Sequence, residues 1–197
     1  MPGPAKQFDR TAALERGMRL FWRKGYADVS MSELLTEMGI GRQSFYDTFG
    51  GKAAVFEESL RRYVEVCQRP ALAVLESGPS PHRGVQAFLK AWESAAAARP
   101  NDGCFLVNSC DDLPTLAGPS AAIVREAVAH FEKRLVRRIR EALDAGEVAS
   151  RLPAKRLGRI LVTLGNGMML SARDPAAAAP AGLLRQTYLG LVEEAGG

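Results

Sequence analysis

Between Ser30 and Lys52 the chain gathers side chains able to hold duplex nucleic acid: Ser30, Arg42, Gln43, Ser44, Tyr46, Thr48 and Lys52. Arginine and glutamine bond bidentately to guanine and adenine edges in a major groove. Serine, tyrosine, threonine and lysine reach phosphate oxygens. Phe45 and Phe49 are four apart in the same run, so they share one face of a helix and leave the polar residues on the other. Asp47 is acidic within that face and is assigned no contact. An ordinary helical hairpin with a solvated polar face has the same composition.

A reading face of this kind needs a short helix held at a fixed angle to a support. The stretch VSMSELLTEMGIGRQSFYDTFGGK predicts one. Ser30 and Glu33 form an S-x-x-E capping box that opens a first helix. Leu34, Leu35 and Met38 follow at helical spacing, and Gly39 closes it as a left-handed cap. Ile40 plugs the small core, Gly41 is the next N-cap, and a second helix runs from about Arg42 to Phe49.

The word order resembles the DNA-binding segment of the tetracycline-repressor (TetR) family. The residues that carry the resemblance are Gly25, Ser30, Gly39, Tyr46, Phe49 and Lys52, in order, within about Phe8 to Leu60. The resemblance implies an all-α chain: a three-helix helix-turn-helix domain over 1–52 and a helical effector-binding and dimerisation bundle over 53–197. It implies base contacts from Arg42, Gln43 and Ser44, phosphate contacts from Tyr46, Thr48 and Lys52, and Ser30 near the DNA backbone. Gly41 and the pair Gly50 and Gly51 depart from the family's better-capped pattern.

Composition agrees with a globular chain: 197 residues, 47% hydrophobic and 24% charged. The net charge of +4 is small, so an affinity for nucleic acid must come from how charges are arranged. No apolar run reaches the length of a membrane span. The opening MPGPAKQFDR lacks the apolar stretch of a secretory signal. Cys67, Cys104 and Cys110 form neither a disulfide framework nor a metal-ligand spacing. A cytoplasmic protein without cofactor or metal is expected.

The remaining pattern is helical, with almost no strand signal. Helices are predicted over about 8–24, 53–69, 83–98, 104–111, 119–145 and 153–173, with a separate last helix, after the loop to Pro180, running to about Glu194. Pro70 should stop or bend the second of these. Breaks are expected at Ser77 to His82, Arg99 to Gly103 and Asp174 to Pro180. The last two long helices carry Leu157, Ile160, Leu161, Leu164, Gly165, Met168, Leu183, Leu184, Tyr188 and Leu191, which predicts a four-helix interface with a second copy. Two-fold symmetry also doubles the DNA site that one short helix can read.

Family resemblance further implies a small-molecule effector, apolar or amphipathic, in the second domain. Its candidate contacts are Phe88, Trp92, Cys104, Phe105, Asn108, Phe131, Asn166 and Met168, with His130 as a further polar candidate. Gly103 to Asn108 resembles a motif of one branch of the family in which the cysteine senses electrophiles or oxidants. At a helix N-terminus the Cys104 thiol would have its pKa lowered. The alternative function is therefore a thiol-based regulator of the same fold. A Cys104–Cys110 bond is disfavoured, because six helical residues span about 9 Å. Catalysis is not expected: no base is placed beside Cys104 and no phosphate loop follows a strand. A helical binding module without DNA activity would leave the Arg42, Gln43 and Ser44 face unexplained.

Overall fold

The computed structural model describes residues 8–98, 101–116 and 118–194. Residues 1–7 of the opening segment and residues 99 and 100 of the predicted break lie outside them. Asp9 caps α1 (Arg10–Lys24), its carboxylate accepting the Thr11 and Ala12 N–H groups. α2 (Met31–Met38) opens on the Ser30–Glu33 capping box and closes on Gly39 at φ 67°, ψ 37°. α3 (Arg42–Phe49) follows, with Gly41 as N-cap and no side-chain cap bond. α2 and α3 match the expectation from local residues, while α1 opens two residues later than expected, behind the Asp9 cap.

The next helix does not stop at Pro70. α4 (Lys52–Tyr63) passes through a π-helical turn (Val64–Gln68) into α5 (Arg69–Ser77). Arg69 N–H bonds the Val64 carbonyl five residues back, and Pro70 enters α5 in its first turn. A proline there forfeits no helical bond, and the wider turn absorbs the bend. α6 (Pro81–Ala98), the four-residue α7 (Phe105–Asn108), α8 (Gly118–Asp144), α9 (Ala154–Ser171) and α10 (Leu183–Leu191) complete the all-α chain. A 3₁₀ turn, Pro175–Ala177, lies within the expected loop. Two dipeptides that the pattern did not predict, β1 (Val148–Ala149) and β2 (Glu193–Glu194), pair antiparallel.

Two apolar cores divide the chain. The first joins α1, α2 and α3 to Val55, Phe56, Leu60 and Tyr63 of α4, and extends to Phe105, Leu106 and the first half of α8. It is dense in aromatics: Phe21 meets Phe56 edge-on at 5.1 Å, and Trp22 meets Tyr63 edge-on at 4.9 Å. The second core packs α5, α6, the later part of α8, α9 and α10. Buried His82 ties the chain end to it, with Nδ1 at 3.1 Å from the Tyr188 hydroxyl and Nε2 at 3.0 Å from Glu194. α4 is thus the strut shared by the reader and the body.

Candidate functional site

α3 buries one side and bares the other. Phe45 and Phe49 are 0% and 5% exposed, and Ile40 in the turn is buried beside them. Arg42, Gln43, Ser44, Tyr46 and Asp47 are exposed on the opposite side. The turn is tightened from α1, where the Arg16 guanidinium donates to the Met38 carbonyl at the end of α2. Sequence spacing did not single out Arg16, because its partner is a carbonyl, which leaves no trace in residue type.

The polar face is not uniform. Gln43 Nε2 donates to Asp47 Oδ1 at 3.0 Å, one turn on, so its amide is engaged before any base arrives. Ser30 is exposed, but its hydroxyl is taken up by the capping box, accepting from Glu33 N–H at 3.2 Å and donating to Glu33 Oε2 at 2.8 Å. Glu33 is held at a pKa of about 2, first by its bond from Lys24 and then by those from Ser30. Thr48 departs from the expectation of a phosphate contact: its Oγ1 is buried and has no hydrogen-bond partner among the described residues. It lies one position before Phe49, on the flank that turns toward the core.

Several basic side chains of the reader and of α4 are engaged in ion pairs: Arg10 with Glu58, Arg23 with Glu37, Lys24 with Glu33 and Arg62 with Glu15. Such exposed pairs add little stability, but they remove those charges from competition for DNA. Among the described residues Arg42 enters no such pair. Lys52 is half-buried at the start of α4, with Nζ 4.4 Å from the centre of the Tyr26 ring. Burial lowers its pKa, opposed by the carboxylates of Asp112, Asp28 and Glu33.

A cavity of about 280 Å³ opens between α4, the π turn, α6, α7, α8 and α9. Of the expected effector contacts, Phe88, Trp92, Cys104, Phe131 and Asn166 line it. Phe105, Asn108 and Met168 do not. Phe105 is fully buried in the first core, 5.7 Å edge-on from both Phe56 and Tyr63. Asn108 Nδ2 donates to the carbonyls of Trp22 and Asp102, a structural role. Met168 faces outer grooves beside Ala179, away from the cavity. His130 lies on a separate groove with Arg61 and Glu65. Sequence reasoning missed Tyr63, Cys67 and Gln68, which line the cavity from α4 and the π turn. Tyr63 ends regular α4 on the same stripe as Phe56 and Leu60, and Cys67 and Gln68 stand on the π turn, so their types alone do not tell a cavity wall from packed core.

Cys104 contradicts the expected activation. It is the N-cap of α7, yet loss of water around the thiol pushes its pKa up, outweighing the Tyr63 hydroxyl bond at 3.3 Å and the Val107 and Leu106 N–H groups. A four-residue helix supplies little dipole, so desolvation wins. Among the described residues Cys67, Cys104 and Cys110 form no disulfide.

The last long helices split their apolar residues between two sides. Leu157, Leu161, Leu184 and Tyr188 are fully buried within this chain. Gly165 belongs to the same side, where a Cβ would overlap the Trp92 ring. Ile160, Leu164, Gly167 and Leu183 line an open groove on the outer side, and Leu170 and Leu189 are exposed.

Residues 13–59 match the family model described as bacterial regulatory proteins, tetR family, and residues 81–187 match that described as tetracyclin repressor-like, C-terminal domain. The HTH-type transcriptional repressor ComR of Escherichia coli (strain K12) is 28% identical over 177 residues, covering 88% of this chain and 84% of its own. A cysteine mutant of the TetR family transcriptional regulator CifR, complexed with 26bp double-strand operator DNA, is 27% identical with a TM-score of 0.73, covering 94% of this chain and 96% of its own. A TetR family regulator from Agrobacterium tumefaciens shares the fold at a TM-score of 0.82 and 19% identity, over 93% and 97% of the two chains.

Proposed function

This chain belongs to the tetracycline-repressor (TetR) family, and we propose that it is a transcriptional repressor that binds operator DNA until a small-molecule effector releases it. The observation that carries this reading is the exposed Arg42, Gln43 and Ser44 face, seated on buried Phe45 and Phe49. Arg42 and Gln43 read bases, Ser44 supports them, and Tyr46 and Lys52 hold phosphates. Ser30 contributes through its cap and its nearness to the DNA backbone. Thr48 is left out of the contacts. The reader spans 1–52 and the effector and dimerisation body 53–197, with α4 passing motion between them. ComR is a repressor, and CifR is complexed with operator DNA, which supports the same role here.

The protein works as a cytoplasmic homodimer joined through the outer side of α9 and α10. Among the described residues no helix is long and apolar enough to cross a membrane. Two readers then enter successive major grooves of a two-fold operator. The effector is apolar or amphipathic, since Phe88, Trp92 and Phe131 dominate the cavity and Asn166 offers one polar anchor. Effector and DNA must favour different conformations, with a coupling of about 1–3 kcal/mol. No catalytic step and no cofactor enters this reading. The test is binding to the DNA upstream of its own gene. Arg42→Ala should cost about 1–3 kcal/mol and relax base choice at one position of each half-site. Binding with unchanged selectivity would remove Arg42 from the readout.

A thiol-sensing mode is the second reading, favoured by one observation: Cys104 faces the cavity beside Tyr63. Its raised thiol pKa leaves little thiolate at neutral pH, which weakens this mode. Unchanged operator affinity after complete iodoacetamide modification of Cys104 in folded protein would retire it.

A further inference from the structure

One carboxylate joins the cavity wall to the reader. Asp112 lies in the turn after α7, the helix whose Leu106 and Val107 line the cavity. Its backbone is pinned, the carbonyl accepting the Thr115 and Leu116 N–H groups at 2.9 and 3.0 Å and the Thr115 hydroxyl at 2.9 Å. Its side chain crosses to the loop after α1. Oδ2 accepts the Tyr26 N–H at 2.8 Å, and Oδ1 accepts the Ala27 N–H at 3.3 Å.

That loop is shaped to receive it. Gly25 has φ +84°, a conformation side chains avoid, and a Cβ there would stand 3.3 Å from Asp112 Oδ2. With its backbone held, Tyr26 lays its ring 4.8 Å from Phe56 on one side and under the Lys52 ammonium on the other. The chain of contacts therefore runs from α7 through Asp112 and the Tyr26 ring to Lys52. Asp112 is 86 residues from Tyr26 in sequence, and no motif marks it.

We propose that Asp112 is a positioning residue for the DNA contact made by Lys52. It rests on the reading of Lys52 as a phosphate contact. Asp112 touches no DNA itself. It fixes where the Tyr26 ring lies, and the ring fixes where the ammonium waits. A merely structural tie would change stability and leave the number of neutralised phosphates alone.

The salt dependence of DNA binding separates the two. The full-length protein is titrated onto an arbitrary duplex of about 30 base pairs, whose binding is governed by phosphate contacts. Each lost phosphate contact flattens the slope of log K on log [NaCl] by about 0.9. Lys52→Ala in a two-reader dimer should flatten it by about 1.8, so its defect shrinks about 12-fold between 50 and 200 mM salt. Asp112→Ala should take at least half of that flattening, and Tyr26→Leu, which keeps the N–H but removes the ring, a similar share. Combining Asp112→Ala with Lys52→Ala should flatten the slope no further than Lys52→Ala alone. If Asp112→Ala does not fold, Asp112→Asn, which loses the charge and one acceptor, carries the same requirement. A wild-type slope in either folded Asp112 variant, beside a flattened slope in Lys52→Ala, overturns the proposal alone. A wild-type slope in Lys52→Ala overturns the phosphate role of Lys52 and the proposal together.

Discussion

Thr48→Val should make the protein more stable and leave its DNA affinity unchanged. The Thr48 hydroxyl oxygen is buried and, among the described residues, unpartnered. A buried hydroxyl left without a bond carries a desolvation cost of about 1–3 kcal/mol. Valine has nearly the same shape, is equally β-branched, and has similar helix propensity, so little is lost by the exchange. The low end of that range, about 1 kcal/mol, is the expected gain. For a chain of this length each kcal/mol raises Tm by about 2–4 °C. Calorimetry reads the first quantity, and fluorescence anisotropy on duplex DNA at several salt concentrations reads the second. The reasoning fails if Tm falls, or if affinity drops and the salt slope flattens. Either result would mean that the hydroxyl has a partner after all, and the second would name it as a phosphate.

Other parts of the reader and body are open to equally direct tests. Glu33 has a folded pKa of about 2 against an ordinary 4.5, so its contribution to stability is complete above pH 4.5 and is lost as pH falls toward 2. Glu33→Gln should therefore lower Tm at pH 7 and flatten the acid limb of the Tm–pH profile; an identical acid limb in both proteins would rule out the capping carboxylate as its source. Asp47→Ala should tighten DNA binding, because it frees the Gln43 amide and removes a negative charge from the reading face. An exposed one-turn pair is worth ~0.2–0.5 kcal/mol, so two readers release ~0.4–1 kcal/mol, about two- to fivefold in Kd by equilibrium titration. Weaker binding would instead make Asp47 an acceptor for a cytosine amino group. Gly167→Arg tests the dimer: a Cβ there meets nothing within 4 Å in the single chain, so the monomer accepts the side chain while a closely packed partner helix does not. Sedimentation should show monomers with an unchanged helical signal by circular dichroism, and a persistent dimer would move the interface elsewhere.

What local sequence carried and what it did not follows the reach of the interactions. The Ser30–Glu33 box, the Gly39 cap and the Phe45–Phe49 spacing each close within about one helical turn, and α2 and α3 came out with the expected ends. Of the two outcomes expected at Pro70, a stop or a bend, the chain avoids the stop by passing through a π turn, which no residue type announces. Cys67 and Gln68 of that turn line the cavity, and residue type alone does not separate a cavity wall from packed core. Phe105 and Asn108 sit on the expected short helix, but four residues hold too little periodicity to say which side faces the cavity and which faces Trp22.

Cys104 shows the same limit in chemical form. Its place before α7 was legible, while the sign of its pKa shift depends on neighbours drawn from several helices. Gly165 was read as a point of approach for a partner, yet the ring it admits is Trp92 of its own chain. A small residue in a helix announces close contact without saying with whom. Asp112 is the extreme case, since nothing within a turn of it suggests a bond to Tyr26. Interactions of that long reach are the ones able to connect a cavity to a DNA-reading helix. The route from effector to reader therefore has to be sought in the folded contacts, and no inspection of the helix-turn-helix segment by itself will yield it.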